Sequence, residues 1–183
     1  MNKPPSPFQE AHQVARLSRR SIVVAGILMA TVACVVAPLG LSGIQQRYAI
    51  SMDPQWQSCL PWSTFFVRYG KPRSIHAGEL VLFRDKKLDP TGFGNLPAIK
   101  YVAGGPGTVM EIRKDGVWID GKFWGRMWLL PWMRMIHVGS LPYGRYVVPP
   151  GKVLLMGTTP GSFDGRYWGF ASVHRIYGEA WPF

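Results

Sequence analysis

Three short stretches carry the side chains that could do chemistry. The first is Ile99-Lys100-Tyr101-Val102-Ala103-Gly104-Gly105-Pro106-Gly107, a lysine in an apolar, β-prone run that closes in a Gly/Pro turn. A lysine held there is solvated, paired or kept neutral. Burial disfavours the ammonium, and a neutral lysine is a general base. The plainer alternative is a strand whose lysine faces water, where most lysines are found. The second stretch, Gln55-Trp56-Gln57-Ser58-Cys59-Leu60-Pro61-Trp62, offers a hydroxyl and a thiol side by side. The third ends in Gly161-Ser162-Phe163-Asp164-Gly165-Arg166-Tyr167-Trp168-Gly169 and offers Ser162, Asp164 and Arg166 in a turn between apolar runs. His12, His76, His137 and His174 are scattered and have no metal-ligand spacing. A lysine base needs neither a histidine triad nor a metal. No phosphate loop or dinucleotide motif is present, so no cofactor is expected.

These residues need elements to hold them. Residues 1–20 are polar, contain proline and end in Arg16-Leu17-Ser18-Arg19-Arg20. They read as a basic cytoplasmic tail. Residues 21–46 contain no charged side chain. The span 21–44 is long enough to cross a hydrocarbon layer as a helix, and Pro38 and Gly40 do not forbid it. The basic cluster before it places the N-terminus in the cytoplasm and residues 45–183 in the periplasm. A cleaved signal peptide is the alternative, given the small residues around Val36-Ala37-Pro38, although the run is long for one.

From residue 51 the texture changes to short apolar runs broken by Gly, Pro, Asp and Asn. The expected strands are 65–69, 79–84, 99–103, 108–113, 117–119, 146–148, 153–156 and 168–176. The domain is therefore mainly β. Asp115-Gly116 and Asp120-Gly121 bracket a hairpin, and residues 89–97 read as a loop. Residues 123–135 are apolar, aromatic and basic together. They form either a surface dipping into the lipid interface, anchored by Trp124, Trp128 and Trp132 with Arg126 and Arg134, or an insertion covering the core.

The net charge is +11 over 183 residues, with lysine and arginine spread rather than blocked. That favours anionic lipid headgroups or an acidic partner over a nucleic-acid stripe. Eight tryptophans suit work at a membrane surface. Cys34 lies inside the apolar run and Cys59 well outside it, which argues against an intrachain disulfide.

In this order, behind one N-terminal span, the three stretches resemble the type I signal peptidase family. That family uses a serine–lysine dyad in a membrane-tethered β fold. The closest resemblance is to the TraF-type branch, which processes pilin precursors in conjugative transfer. Ser162-Phe163-Asp164-Gly165-Arg166-Tyr167-Trp168-Gly169 looks like the family's Ser-x-Asp-Ser/Gly-Arg-Tyr-x-Gly box. Ile99-Lys100 ahead of Gly-x-Pro-Gly looks like its catalytic-lysine box. The resemblance implies that Lys100 is the general base, that Ser162 aims its amine, and that Asp164 and Arg166 form an ion pair holding the turn.

The nucleophile has two registers. Ser-x-x-Pro, as in the leader peptidases, places it on Ser58. Ser-x-Pro with an aromatic four residues after the proline, as in the TraF-type branch, places it on Cys59, with Pro61 and Phe65 in step. The second register also puts Gln57 two residues ahead, where its amide could donate to the oxyanion. A thiol beside the lysine would form a thiolate–ammonium pair that can still attack and then protonate the leaving amine. Ser51-Met52-Asp53-Pro54 offers a third register on Ser51. The family's Gly-Asp-Asn-Arg is replaced by Gly157-Thr158-Thr159-Pro160, and the large second β insertion of the longer leader peptidases is missing. Both departures point to a minimal, specialised enzyme.

The resemblance thus implies a bitopic inner-membrane endopeptidase that cuts, and in some relatives cyclises, a membrane-bound pilin-like precursor. The rival is a catalytically inactive scaffold in a conjugation or type IV secretion channel. Nucleic acid is not an expected partner.

Overall fold

The computed structural model describes residues 21–32, 34, 43, 46–53, 58–86, 97–128, 131–135 and 139–183. The chain divides into two units, Met1–Gln46 and Arg47–Phe183. In the first, residues 21–31 are helical. Among the described residues, no helix is long and apolar enough to cross a membrane. The expected tail at 1–20 and much of the expected span at 21–44 lie outside the described residues.

The second unit is built from strands β1 (Tyr48–Met52), β2 (Thr64–Tyr69), β3 (Leu80–Phe83), β4 (Ala98–Gly104), β5 (Val109–Arg113), β6 (Gly116–Ile119), β7 (Lys122–Gly125), β8 (Gly144–Val147), β9 (Lys152–Met156), β10 (Ala171–Ser172) and β11 (Ile176–Pro182). Two short helices, α1 (Pro131–Met135) and α2 (Gly165–Trp168), interrupt them. A seven-stranded sheet runs β1-β2-β11-β3-β4-β9-β10, and a four-stranded sheet runs β7-β6-β5-β8. Every pairing is antiparallel. Side chains alternate across each strand, so each face of the large sheet carries its own apolar layer. One layer holds Val81, Phe83, Val102 and Leu155. The other holds Leu80, Leu82, Phe65 and Val67. Leu154 and Met156 of β9 join Met110, Ile112, Val117 and Ile119, so the small sheet packs on the large one through β9.

The expected strands at 65–69, 79–84, 99–103, 108–113, 117–119, 146–148 and 153–156 coincide with β2, β3, β4, β5, β6, β8 and β9 to within a few residues. The Asp120-Gly121 turn joins β6 to β7, with φ of 46° at Asp120 and 75° at Gly121. Both values are positive, as a tight primed hairpin turn requires. The expected strand at 168–176 is corrected. Residues 165–168 form α2, because the Asp164 carboxylate caps the Arg166 N–H and starts a helical turn. Only 171–172 pair as a strand there, followed by a 3₁₀ turn at Val173–Arg175. The chain then enters β11 and runs into the middle of the large sheet, between β2 and β3.

Among the described residues of 123–135, three side chains cover the core. Trp124 and Met127 pack on the inter-sheet layer, and Met133 packs on Phe163 and Tyr167. Phe123 and Trp128 of the same segment face outward. The side chain of Trp132 and most of the loop expected at 89–97 lie outside the described residues.

Candidate active site

β4 places Lys100 in the same inward row as Val102 and Gly104. Lys100 is 3 % exposed, so the water-facing alternative is not what the fold adopts. Val81 of β3 stands opposite it across the ladder. On the other side β4 pairs with β9, where Tyr101 faces Met156. One residue beyond Met156 is Gly157, where β9 ends and the polar turn begins. Lys100 Nζ is hydrogen-bonded to Ser162 Oγ at 3.1 Å.

Ser162 is held by the turn that follows Gly157. Ser162 and Asp164 are both fully buried, and Arg166 is 1 % exposed. Arg166 Nη2 and Nε donate to Asp164 Oδ2 and Oδ1 at 2.6 and 2.7 Å, a two-pronged guanidinium–carboxylate pair. The carboxylate also accepts the Gly157 N–H at 2.8 Å and the Arg166 N–H at 3.1 Å. The rest of the guanidinium donates to the carbonyls of Arg126, Thr159 and Ser162. The pair therefore ties both ends of the 157–166 turn and one carbonyl of the β7–α1 connection into one rigid unit. Burial pulls the Arg166 guanidinium down, but the hydrogen bond and charge of Asp164 outweigh it and leave its pKa raised.

Ser58 and Cys59 sit against the same turn. The Cys59 carbonyl accepts N–H groups of Thr158 at 3.0 Å and Thr159 at 3.4 Å. Thr159 Oγ1 donates to the Ser58 carbonyl at 2.7 Å. A Cβ on Gly157 would stand 2.0 Å from Ser162 Oγ and 2.6 Å from the Cys59 carbonyl oxygen, so only glycine lets these segments meet. The structure thus brings Lys100, Ser162, Asp164, Arg166 and the Ser58–Cys59 backbone to one place.

The two candidate nucleophiles differ in their partners. Ser58 Oγ donates to Asp53 Oδ2 at 2.9 Å and accepts the Leu60 N–H at 3.2 Å. Cys59 is half-buried and forms no disulfide. Ser51, the third register, lies within β1 and pairs with Phe65 of β2. Gln57 lies outside the described residues.

Two contributors escaped the sequence reading. Asp53 followed by proline looks like an ordinary turn residue, yet it takes the Ser58 hydroxyl. Trp124 was expected as a lipid anchor or core cover. Its Nε1 donates to the Gly157 carbonyl at 3.0 Å and its ring tilts against Tyr101 with centroids 5.7 Å apart, so it braces the 157–166 turn. Among the described residues, no group of three or more His, Cys, Asp or Glu could hold a metal ion.

A family model described as signal peptidase, peptidase S26, matches residues 19–183. Signal peptidase I of Bacillus caldolyticus is 29% identical over 98 residues, covering 46% of this chain and 54% of that protein. Probable signal peptidase I-2 of Synechocystis is 26% identical over 115 residues, covering 60% of this chain and 50% of that protein. The chain spans about half the length of these curated relatives. A crystal structure of signal peptidase I from Enterococcus faecalis V583 aligns with 58% of this chain and 97% of that chain, at 20% identity and a TM-score of 0.35. The family match takes in the buried lysine, the Ser58–Cys59 segment and the Ser162–Arg166 turn alike, and the chain belongs to the signal peptidase family, peptidase S26.

Proposed function

We propose that the chain is a membrane-bound, signal-peptidase-like endopeptidase that processes a pilin-like precursor for conjugative transfer. The observation that carries the reading is the buried Lys100–Ser162 hydrogen bond, fixed by the Asp164–Arg166 pair. That bond sets the buried Lys100 nitrogen beside a hydroxyl at the turn that also meets the Ser58–Cys59 backbone.

The reaction runs through an acyl-enzyme. The nucleophile attacks the scissile carbonyl, and the proton it sheds goes to the Lys100 amine. The resulting ammonium protonates the leaving amine. Lys100 then takes a proton from the water that releases the acyl group. We take Cys59 as the nucleophile, and the support for it is that the Ser58 hydroxyl donates to Asp53 rather than to Lys100. Gln57 supplies the oxyanion donor. Residues 21–44 tether the domain to the bilayer, with the N-terminus cytoplasmic and the β domain periplasmic.

A second reading, a catalytically inactive scaffold of a conjugation channel, has one observation in its favour. The Ser58 hydroxyl is turned to a carboxylate rather than to Lys100. One experiment separates the two. The co-encoded pilin precursor is incubated with the wild type and with Lys100→Ala, Ser58→Ala and Cys59→Ala. The peptidase reading expects loss of cleavage with Lys100→Ala and Cys59→Ala, and residual cleavage with Ser58→Ala. Loss with Ser58→Ala instead of Cys59→Ala moves the nucleophile to Ser58. Equal processing by all four removes the peptidase reading, and so does an inert wild type.

A further inference from the structure

The Ser58–Cys59 segment and the 157–166 turn meet at Thr159. We propose that Thr159 is a positioning residue for the cleavage reaction. Its hydroxyl fixes the peptide plane between Ser58 and Cys59, and so aims the Cys59 N–H at the oxyanion that forms on the scissile carbonyl. The inference rests on the peptidase reading with Cys59 as nucleophile, and adds to it how that residue is held.

Thr159 belongs to the rigid side of the site. Its carbonyl accepts the Ser162 N–H at 3.3 Å and Arg166 Nη2 at 3.2 Å. It is therefore tied to the same guanidinium as Asp164 and to the same serine as Lys100. Pro160 follows it and disfavours a helical backbone at Thr159. The side chain is branched at Cβ, so it has few rotamers to choose from and its hydroxyl keeps its direction.

From there Thr159 reaches across to the nucleophile segment. Its Oγ1 donates to the Ser58 carbonyl at 2.7 Å. The Thr158 and Thr159 N–H groups donate to the Cys59 carbonyl at 3.0 and 3.4 Å. The Leu60 N–H donates to Ser58 Oγ at 3.2 Å. These bonds hold both peptide planes that flank the Cys59 Cα, one through the Ser58 carbonyl and the other through the Cys59 carbonyl and the Leu60 N–H. With both planes held, φ and ψ of Cys59 are set. Of the bonds that the turn supplies, only the one to the Ser58 carbonyl comes from a side chain. The first plane is thus the one that the identity of residue 159 controls.

That plane carries the Cys59 N–H. The peptide is trans, so its N–H points opposite to its carbonyl and away from Thr159. In acyl transfer the N–H of the attacking residue lies beside the carbonyl under attack, and a donor there stabilises the oxyanion because it is aimed in advance. Without the Thr159 hydroxyl the Ser58 carbonyl loses its donor and the plane is free to turn. The loss is felt in the transition state, so it lowers kcat and leaves KM alone.

The test compares the full chain with Thr159→Val, which keeps the shape and removes the hydroxyl, and Thr159→Ser, which keeps the hydroxyl. All three carry Cys34→Ser, which leaves Cys59 as the single cysteine. In cleavage of the pilin precursor, Thr159→Val is expected to lower kcat about tenfold with KM within about twofold, and Thr159→Ser to recover most of the kcat. Alkylation by iodoacetamide reads the same hold without any need for cleavage. Cys59 is half-buried, and its modification is expected to run about threefold faster in Thr159→Val and at the wild-type rate in Thr159→Ser. A wild-type kcat in Thr159→Val, equal loss in both variants, or a loss that shows as raised KM overturns the proposal. An alkylation rate untouched by Thr159→Val overturns it too. If the wild type cleaves nothing while alkylation responds to Thr159→Val and not to Thr159→Ser, the peptidase reading falls and the hold of Thr159 on the segment stands.

Discussion

Arg166 is as buried as the valines around it, and its burial is tolerable because its donors reach Asp164 and three carbonyls. Removing one partner of such a pair leaves the other charge stranded. Arg166→Ala is therefore expected to destabilise the β domain by about 3–5 kcal/mol, read as a lowered urea midpoint. Ser162→Ala has a different signature. It removes only the hydroxyl partner of Lys100, so stability falls by about 1–3 kcal/mol. The amine loses its aim, and kcat drops by about 100-fold with KM little changed. A Ser162→Ala enzyme with wild-type kcat would falsify the aiming role. These residues were legible because residues 162–169 resemble a family box, and the Asp164–Arg166 part of that box is local. Asp164 and Arg166 are two residues apart, and a turn can bring such a pair together whatever the rest of the fold does. The Asp53–Ser58 bond was not legible. Nothing in an Asp-Pro step says which hydroxyl, in a loop that must first fold back, its carboxylate will meet.

The end of β9 shows how the elements impose their own requirements. Gly157 lies where β9 gives way to the turn, with Ser162 on one side and the Ser58–Cys59 loop on the other. Gly157→Ala puts a methyl group where Ser162 Oγ and the Cys59 carbonyl already stand, so the Ser58–Cys59 segment must separate from the Ser162 turn, which the proposed mechanism does not allow. The expected outcome is loss of cleavage with the β domain still folded, measured by precursor processing and circular dichroism together. A fully active Gly157→Ala protein would show that the two segments need not touch. The strands missed in the sequence have related causes. β11 contains Gly178, which ordinarily weakens a strand. Here a Cβ would stand 2.8 Å from the Arg68 carbonyl, so the glycine is what lets the strand lie between its neighbours. β1 turns Tyr48, Ile50 and Met52 outward and its smaller Ala49 and Ser51 inward, the reverse of the usual pattern. β7 begins inside the aromatic and basic run that masks it.

At the scale of the whole β domain, two phenols are placed where ionising them opposes folding. Tyr167 packs with Met133 and Phe163, and its oxygen accepts the Trp128 N–H at 3.0 Å. Burial pushes its pKa up, against the pull of Arg166. Burial also pushes up Tyr177, against the pull of Arg84. A raised folded pKa means the native state keeps a proton that the unfolded chain has already released. The contribution is full below the ordinary tyrosine value of about 10 and is lost as pH rises through the folded values. These groups add nothing to an acid limb. Melting temperature should therefore fall steeply above about pH 10. Tyr167→Phe cannot ionise, so its alkaline limb is shallower, although its neutral stability drops because the Trp128 N–H loses its acceptor. If the alkaline limbs of wild type and Tyr167→Phe run parallel, Tyr167 is not the group that sets the limit. The same melting curves followed with the Lys100→Ala protein separate this structural limit from any pH dependence of cleavage that the proposed mechanism would route through Lys100.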